Sequence, residues 1–195
     1  MLRLITAATD PVVTLTEAKA HLRVDHDDDD TLITALIAAA TARLDGAAGM
    51  LGRCLAPQTW LLGLAAFPEG GAPICLPLPP TIEVVSVAWL DQFGVSHTLD
   101  TSAYRVIDGG AEGHEIRAPL ATPFAYQTAP DTPDAVRVTF RAGYASVPAA
   151  LKQALLLTLA DWYDNRGSAV IGASVAPLPT AADHLIAQYR TRWMG

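Results

Sequence analysis

The run DHDDDD at residues 25–30 is the stretch of the sequence in which acidic side chains are most concentrated. Alternating carboxylates are typical of a calcium loop, in which the first, third and fifth residues hold the ion. Such a loop needs glycine at its sixth position and glutamate at its twelfth, but Asp30 and Leu36 stand there. We therefore interpret these carboxylates as caps of the following helix, where they meet free amides and the positive end of the helix dipole.

The histidines and cysteines form no recognisable catalytic or metal-binding pattern. GxSxG, HExxH, P-loop and GxGxxG motifs are absent, and Cys54 and Cys75 form no CxxC, so buried free thiols are expected. His26 lies between two Asp residues and His114 precedes Glu115, but an acidic chain gives such neighbours by chance. We expect no enzymatic activity, no metal and no cofactor, with the histidines dispersed at His21, His26, His97, His114 and His184.

The charge of the chain argues against tight binding to nucleic acid. The formal net charge is −7, Lys19 and Lys152 are the only lysines, and the arginines are scattered. Proteins that hold nucleic acid need a basic stripe, because neutralising phosphates supplies most of the non-specific affinity. Any DNA near this protein is therefore expected to pass rather than to be held. No apolar stretch reaches 18 residues and no secretory signal pattern opens the chain, so we expect no membrane span and synthesis in the cytosol.

Three helices are predicted to form a small bundle. Thr14-Leu15-Thr16-Glu17 is a capping box that opens a helix over about 15–23, and apolar residues at helical spacing predict a second over about 28–49. The longest helical pattern, 148–166, carries an apolar arc across about half its circumference. Because an arc this broad faces more than one neighbour, we place this helix at the centre of the bundle.

A β-rich block at 54–145 interrupts these helices. Short alternating or β-branched runs predict six or seven strands, with a bulge at Val84-Val85 and a hairpin turn at 91–94. In the last run Val136, Val138 and Phe140 are predicted to point inward. The fold class is α+β: a small helical bundle (1–53 and 146–167) with an inserted antiparallel block, sandwich- or barrel-like, and a tethered C-terminal helix.

The C-terminal part, 168–195, is predicted to be a linker followed by an amphipathic helix. SAVIGASVAPLP at 168–179 consists of small residues and prolines, and 180–193 carries apolar residues on one face at Ala182, Leu185, Ile186, Tyr189 and Trp193. A short tethered helix is marginal alone and must dock somewhere. Its own domain and another chain remain alternatives.

Three segments resemble the head–tail connector family of tailed phages and prophages. They are PVVTLTEAKAHLRVDHDDDDTLITALIAAATARLD with the following Gln58-Thr59-Trp60, VPAALKQALLLTLADWYDNRG, and the terminal LPTAADHLIAQYRTRW. They lie in the family's order at both ends of the chain, and the β-rich block matches longer, prophage-like members in outline. The Ala-rich character also suits the adaptor of a gene transfer agent.

The resemblance implies a structural, non-enzymatic adaptor at the head–tail interface of a phage-like particle, present in the host cytoplasm during assembly. Such adaptors form a ring, usually of twelve copies, between the portal protein and the stopper or another tail-side connector, and DNA passes through the channel. By the same resemblance, the candidate portal-binding residues are Leu185, Ile186, Tyr189, Arg190 and Trp193. The alternative is a ligand-binding or enzymatic β-module, unrelated to virions, that holds a sugar or small metabolite.

Overall fold

The computed structural model describes residues 1–110, 113–119, 124, 126–165 and 181–191. The chain divides into two compact units. Residues 1–9 and 56–145 form a β-rich unit, and residues 10–55 with the described residues from Ser146 onward form a helical unit. The N-terminal arm, assigned from sequence to the helical part, joins the β-rich unit over its first nine residues, because its strand pairs there.

The helical unit contains helices close to the predicted positions: α1 (Leu15–Leu22), α2 (Asp30–Leu44), α3 (Ala149–Asp164) and α4 (Ala181–Ala187). The capping box of α1 is confirmed, since the Glu17 amide donates to Thr14 Oγ1 at 3.2 Å and the Thr14 amide donates to Glu17 Oε2 at 2.8 Å. Helix α2 ends at Leu44, earlier than predicted. Beyond it the Asp45 carboxylate accepts from the Leu55 amide at 2.7 Å, which closes the loop 45–55.

The buried residues of the helical unit come from α1, α2, α3, α4 and the segments beside them. Helix α3 buries its predicted apolar arc through Leu151, Leu155 and Leu159. Burial of such side chains supplies roughly 1.5–3 kcal/mol each. The core comprises Val12, Val13, Ala18, Ile33, Ala40, Leu44, Leu51, Cys54, Leu55, Leu151, Ala154, Leu155, Leu159 and Ile186.

The β-rich unit is built from two antiparallel sheets. The five-stranded sheet has the order β1-β2-β8-β4-β5, with β1 (Leu2–Thr6), β2 (Gln58–Leu64), β4 (Thr81–Leu90), β5 (Ser96–Thr98) and β8 (Val136–Ala142). The three-stranded sheet has the order β3-β7-β6, with β3 (Ile74–Cys75), β6 (Arg105–Asp108) and β7 (His114–Arg117). Together with the helices, these sheets confirm the predicted α+β class.

Strand β8 lies at the centre of the larger sheet, between β2 and β4. Its predicted inward residues Val136, Val138 and Phe140 are completely buried, which confirms the alternation. The predicted bulge is also confirmed: the pairing of β4 with β8 skips Val85, between Val84 and Ser86. The predicted hairpin connects β4 and β5 through the turn at 91–94.

Some predictions fall on residues outside the described ranges: the linker 168–179 and Trp193. Within the described residues, no helix has the length and apolar character needed to cross a bilayer.

Candidate functional site: the C-terminal segment

The C-terminal segment 181–191 consists of α4 and a turn that leaves it. Helix α4 ends at Ala187, and the Tyr189 amide then donates to the Ile186 carbonyl at 2.9 Å in a tight turn. The prediction that one helical face continues to Tyr189 and beyond is therefore wrong for the described residues. The physical reason is competition, because the backbone after the turn forms hydrogen bonds with Leu51 and Arg53 instead of extending the helix.

The turn is held to the loop at 51–53 by a group of polar contacts that we call the tail clamp, formed by Leu51, Gly52 and Arg53. The Thr191 amide donates to the Leu51 carbonyl at 3.0 Å. The Thr191 hydroxyl lies 2.9 Å from the Leu51 carbonyl and 3.0 Å from that of Gly52. Buried Arg53 donates through Nε to the Tyr189 carbonyl. Of the two docking alternatives, the described segment docks on its own helical unit.

Gly52 is required at its position for two reasons. Its φ is +63°, in the left-handed region that favours glycine. A Cβ atom placed there would lie 2.4 Å from Thr191 Oγ1, which is closer than side chains approach each other. The absent side chain therefore makes the space that the Thr191 hydroxyl occupies.

The docked segment hides part of the predicted portal-binding set. Ile186 is only 2% exposed, so its side chain belongs to the core of the helical unit. Leu185 and Tyr189 are half-buried, and Arg190 is exposed with its guanidinium 3.8 Å from the Asp183 carboxylate. The structure thus brings four predicted residues together on one short segment, and Trp193 lies outside the described ranges. The sequence did not indicate the clamp residues, because their partners Tyr189 and Thr191 lie 136 to 140 positions away in the chain.

The acidic run 25–30 ties helices together instead of capping α2. Asp29, at the N-cap position, makes no side-chain capping bond and accepts from the Tyr163 hydroxyl of α3. Lys19 of α1 binds Asp27 at 2.6 Å and Asp30 at 2.7 Å. These bonds raise the pKa of Lys19, and its ammonium lowers the pKa of Asp27. The predicted side-chain capping bond is absent at Asp29, whose carboxylate binds Tyr163 instead, but the predicted position at the positive end of the dipole is confirmed for Asp30 in the first turn of α2.

The histidines lie in different elements of the fold, and His97 Nε2 lies 2.8 Å from the Asp91 carboxylate in the hairpin. His26 is 3.9 Å from Asp28, and His114 is 3.8 Å from Asp108, too long for hydrogen bonds. Among the described residues, no three His, Cys, Asp or Glu side chains lie together as a metal would require. Cys54 is buried but Cys75 is exposed, which corrects the prediction that both thiols are buried.

An aromatic cleft of about 480 Å³ opens on the β-rich unit. Phe67 stacks on Phe124 at 5.0 Å between ring centroids and meets Tyr126 at 5.4 Å, while Tyr126 lies 4.5 Å from Trp89. Polar groups at the cleft come from Glu69, Gln92, Gln127 and Thr128. Rings beside amides and a carboxylate suit a sugar-like or small polar ligand.

Residues 12–105 match the family model for the phage gp6-like head-tail connector protein. No curated protein gives a match. Solved structures match along 98% of this chain and 96% of each of theirs. A neck of an empty gene transfer agent (GTA) particle, computed with C6 symmetry, is 25% identical with a TM-score of 0.72. A virion of a native GTA particle is 23% identical with a TM-score of 0.76, and a neck of a native GTA particle, computed with C12 symmetry, is 24% identical with a TM-score of 0.66.

The matching family is one of head-tail connectors and the first solved structure is a particle neck, while the last two likenesses show the shared fold alone. The shared fold extends over nearly the whole chain, whereas the family's sequence pattern covers residues 12–105, which contain α1, α2 and the strands from β2 to β5. The resemblance of this chain to the head–tail connector family, the adaptors of gene transfer agents included, is thereby confirmed.

Proposed function

We propose that this chain is a structural, non-enzymatic adaptor in the neck of a phage-like particle, at the head–tail interface. Copies of the chain form a ring, of twelve in a complete neck, between the portal protein and the stopper or another tail-side connector. The observation that carries the proposal is the shared fold with a GTA neck protein along 98% of the chain, joined to the family match. The symmetric necks in which related folds occur support a ring.

The C-terminal segment is the part that we propose binds the portal. The contacts come from Leu185, Ile186, Tyr189, Arg190 and Trp193. Helix α4 is short, and polar contacts to the tail clamp are among the bonds that hold the segment. A short terminal segment opens locally at lower cost than the central helices of a core, so α4 can detach from its own unit and bind a partner. Arg190 is already exposed, and its guanidinium can exchange the Asp183 carboxylate, 3.8 Å away, for a carboxylate of the portal.

The net negative charge of the chain supports the proposal that DNA passes through the channel of the ring without binding to it. The chain carries a net charge of −7, and the Asp27 and Asp28 side chains are exposed. A channel lining of this sign repels phosphates, which lets DNA slide. Asp28 is the better candidate for such a lining, since the Asp27 charge is compensated by Lys19.

Truncation of the chain after residue 180 tests the tail assignment. The truncated chain should lose attachment to the portal in a pull-down and in electron microscopy of the mixture, while α1, α2 and α3 remain folded by circular dichroism. A Trp193→Ala variant should weaken portal binding by about 2 kcal/mol if Trp193 is a central contact. Attachment that survives truncation would reassign portal binding to another surface.

The aromatic cleft supports the second candidate, a ligand-binding β-module. Its test is titration of the purified chain with mono- and oligosaccharides while Trp89 fluorescence is recorded, since Trp89 contacts Tyr126 of the cleft. Saturable quenching that a Tyr126→Ala variant abolishes would favour this function. An unchanged signal leaves the neck adaptor as the better supported function.

A further inference from the structure

Each sheet of the β-rich unit has one short edge strand and one longer edge strand. In the larger sheet the edges are β5, with three residues, and β1, with five. In the smaller sheet they are β3, with two residues, and β6, with four. A short edge strand offers little to pair with, whereas a long one presents a row of free amides and carbonyls. Strands β1 and β6 are therefore the edges able to accept another strand.

The pairing of β1 with β2 shows which backbone groups face outward. Met1 and Gly63 exchange two hydrogen bonds of 2.7 Å, so they form a hydrogen-bonded pair of the antiparallel ladder. Hydrogen-bonded and non-hydrogen-bonded pairs alternate along such a ladder. Leu2 and Leu4, opposite Leu62 and Trp60, therefore point their amides and carbonyls away from β2. Within the described part of the chain, no strand pairs with that side of β1.

Both edge strands expose apolar side chains at positions where the edge strands of a monomer usually carry residues that prevent pairing. Leu4 and Ile5 of β1 and Val106 and Ile107 of β6 are 38–48% exposed. Natural edge strands usually carry proline, central charges or a covering element that blocks further pairing. Strand β1 has one charge, Arg3, and β6 is charged at its two ends, so Val106 and Ile107 form an uncharged centre. This composition favours pairing with another chain.

We infer that β1 of one copy pairs along β6 of the next copy, an inference that rests on the proposed ring. A closed ring needs two different, complementary surfaces on every copy, because one self-complementary surface yields only dimers. Each copy carries both β1 and β6, at the edges of different sheets. Strand addition at a sheet edge supplies main-chain hydrogen bonds, and the apolar side chains on both strands lose water. A second copy of this chain is therefore the partner for both edges.

Cross-linking between differently labelled copies tests the pairing directly. Cys75 is exposed and Cys54 is buried, so the background is a Cys75→Ser chain. One preparation carries Leu4→Cys and the other Val106→Cys, and both are treated with a bismaleimide whose spacer of about 10 Å spans twice the strand separation. Under ring-forming conditions the mixture should give covalent dimers, and each preparation alone should give none. Dimers from one preparation alone, or none from the mixture, would overturn the inference.

Charge substitution provides a second test that does not depend on cysteine cross-linking. Leu4→Lys and Val106→Lys should each raise the concentration needed for ring assembly at least about tenfold, measured by mass photometry. Mixed together, these two variants keep one intact β1 and one intact β6, so they should form a heterodimer and stop there. Phe93→Lys, in the turn between β4 and β5, is the control and should assemble like the wild type. Thermal unfolding of each variant verifies that it is folded.

The outcomes separate this inference from the proposed function. If the wild-type chain forms rings, alone or on the portal, and both lysine variants form them equally well, the edge pairing is wrong and the adaptor function stands. If the wild-type chain forms no ring with or without portal, both are overturned. If Phe93→Lys loses ring assembly as much as Leu4→Lys and Val106→Lys do, any added positive charge would explain the loss. That result would also overturn the edge pairing.

Discussion

Replacing Gly52 by alanine should loosen the C-terminal segment without changing any residue of that segment. The new Cβ atom would lie 2.4 Å from Thr191 Oγ1, so the hydroxyl must rotate away from the Leu51 and Gly52 carbonyls. The Thr191 amide can keep its bond to the Leu51 carbonyl, which leaves a weakened clamp rather than an abolished one.

The size of the Gly52→Ala effect follows from two separate free-energy costs, a lost hydrogen bond and backbone strain. A hydroxyl has one proton, so the rotation loses one hydrogen bond, a cost of about 0.5–1.5 kcal/mol. This loss concerns only the docked state and should raise the detached fraction of the segment roughly two- to thirteenfold. Alanine at a φ of +63° adds about 1–2 kcal/mol of backbone strain. That strain is present whether or not the segment is docked, so it lowers the free energy of unfolding without contributing to detachment.

Amide hydrogen exchange at Thr191 measures detachment of the C-terminal segment directly. The Thr191 amide is protected by the Leu51 carbonyl, so its exchange rate reports the opening of the clamp. In Gly52→Ala this rate should rise by the factor given for the detached fraction. Amides in the centre of α3 should follow only the change in global stability, measured separately by urea denaturation. The two readouts distinguish clamp opening from general destabilisation.

A double-mutant cycle with Thr191→Val supplies the control. Valine keeps the shape of threonine but has no hydroxyl, so it removes the bond that the new Cβ would disturb. The effect of Gly52→Ala on clamp opening should shrink by about 0.5–1.5 kcal/mol in that background. An unchanged exchange rate in Gly52→Ala, or two fully additive effects, would refute the account of the Thr191 hydroxyl and the glycine that accommodates it.

Two further predictions concern the separate units. Lys19→Met should destabilise the helical unit chiefly between the ordinary pKa of Asp27, 3.8, and that of Lys19, 10.5, in urea titrations across pH. Because the pKa of Asp27 is lowered, its contribution to the free energy of unfolding is lost as pH falls through the pKa of the folded state. Because the pKa of Lys19 is raised, its contribution is lost as pH rises through the pKa of the folded state. A stability difference between Lys19→Met and the wild type that does not depend on pH would contradict this. In the β-rich unit Phe140→Ala should cost about 3–5 kcal/mol of unfolding free energy, whereas Thr139→Ala on the other face should cost far less.

Local patterns predicted the elements well because the forces behind them are local. The alternation in β8 follows from one buried face, and the bulge in β4 follows from adjacent valines that cannot both point inward. The capping box of α1 involves residues only three positions apart. Each of these features is determined within a short window of sequence, so periodicity and spacing were sufficient to predict it.

Pairing between distant residues could not be predicted in the same way. Arg53 donates to a carbonyl 136 positions later, and nothing near Arg53 in the sequence indicates that its burial is satisfied by Tyr189. The strand order β1-β2-β8-β4-β5 likewise joins strands from both ends of the β-rich unit. The acidic run 25–30 failed as a set of caps for a related reason. Its partners, Lys19 and Tyr163, come from other helices, so the Asp residues stand at the start of α2 but the Asp29 carboxylate makes no capping bond there.

Whether Ile186 can contact the portal depends on whether the C-terminal segment is docked or detached. Because Ile186 is 2% exposed, such a contact requires detachment first, and the apparent affinity is reduced by the fraction of chains already detached. Gly52→Ala raises that fraction, so it should tighten portal binding by the same two- to thirteenfold, roughly, even though it destabilises the unit. A contact made only by Arg190, which is exposed in the docked state, would gain nothing. Portal titration of Gly52→Ala therefore decides whether the segment binds in its docked or its released form.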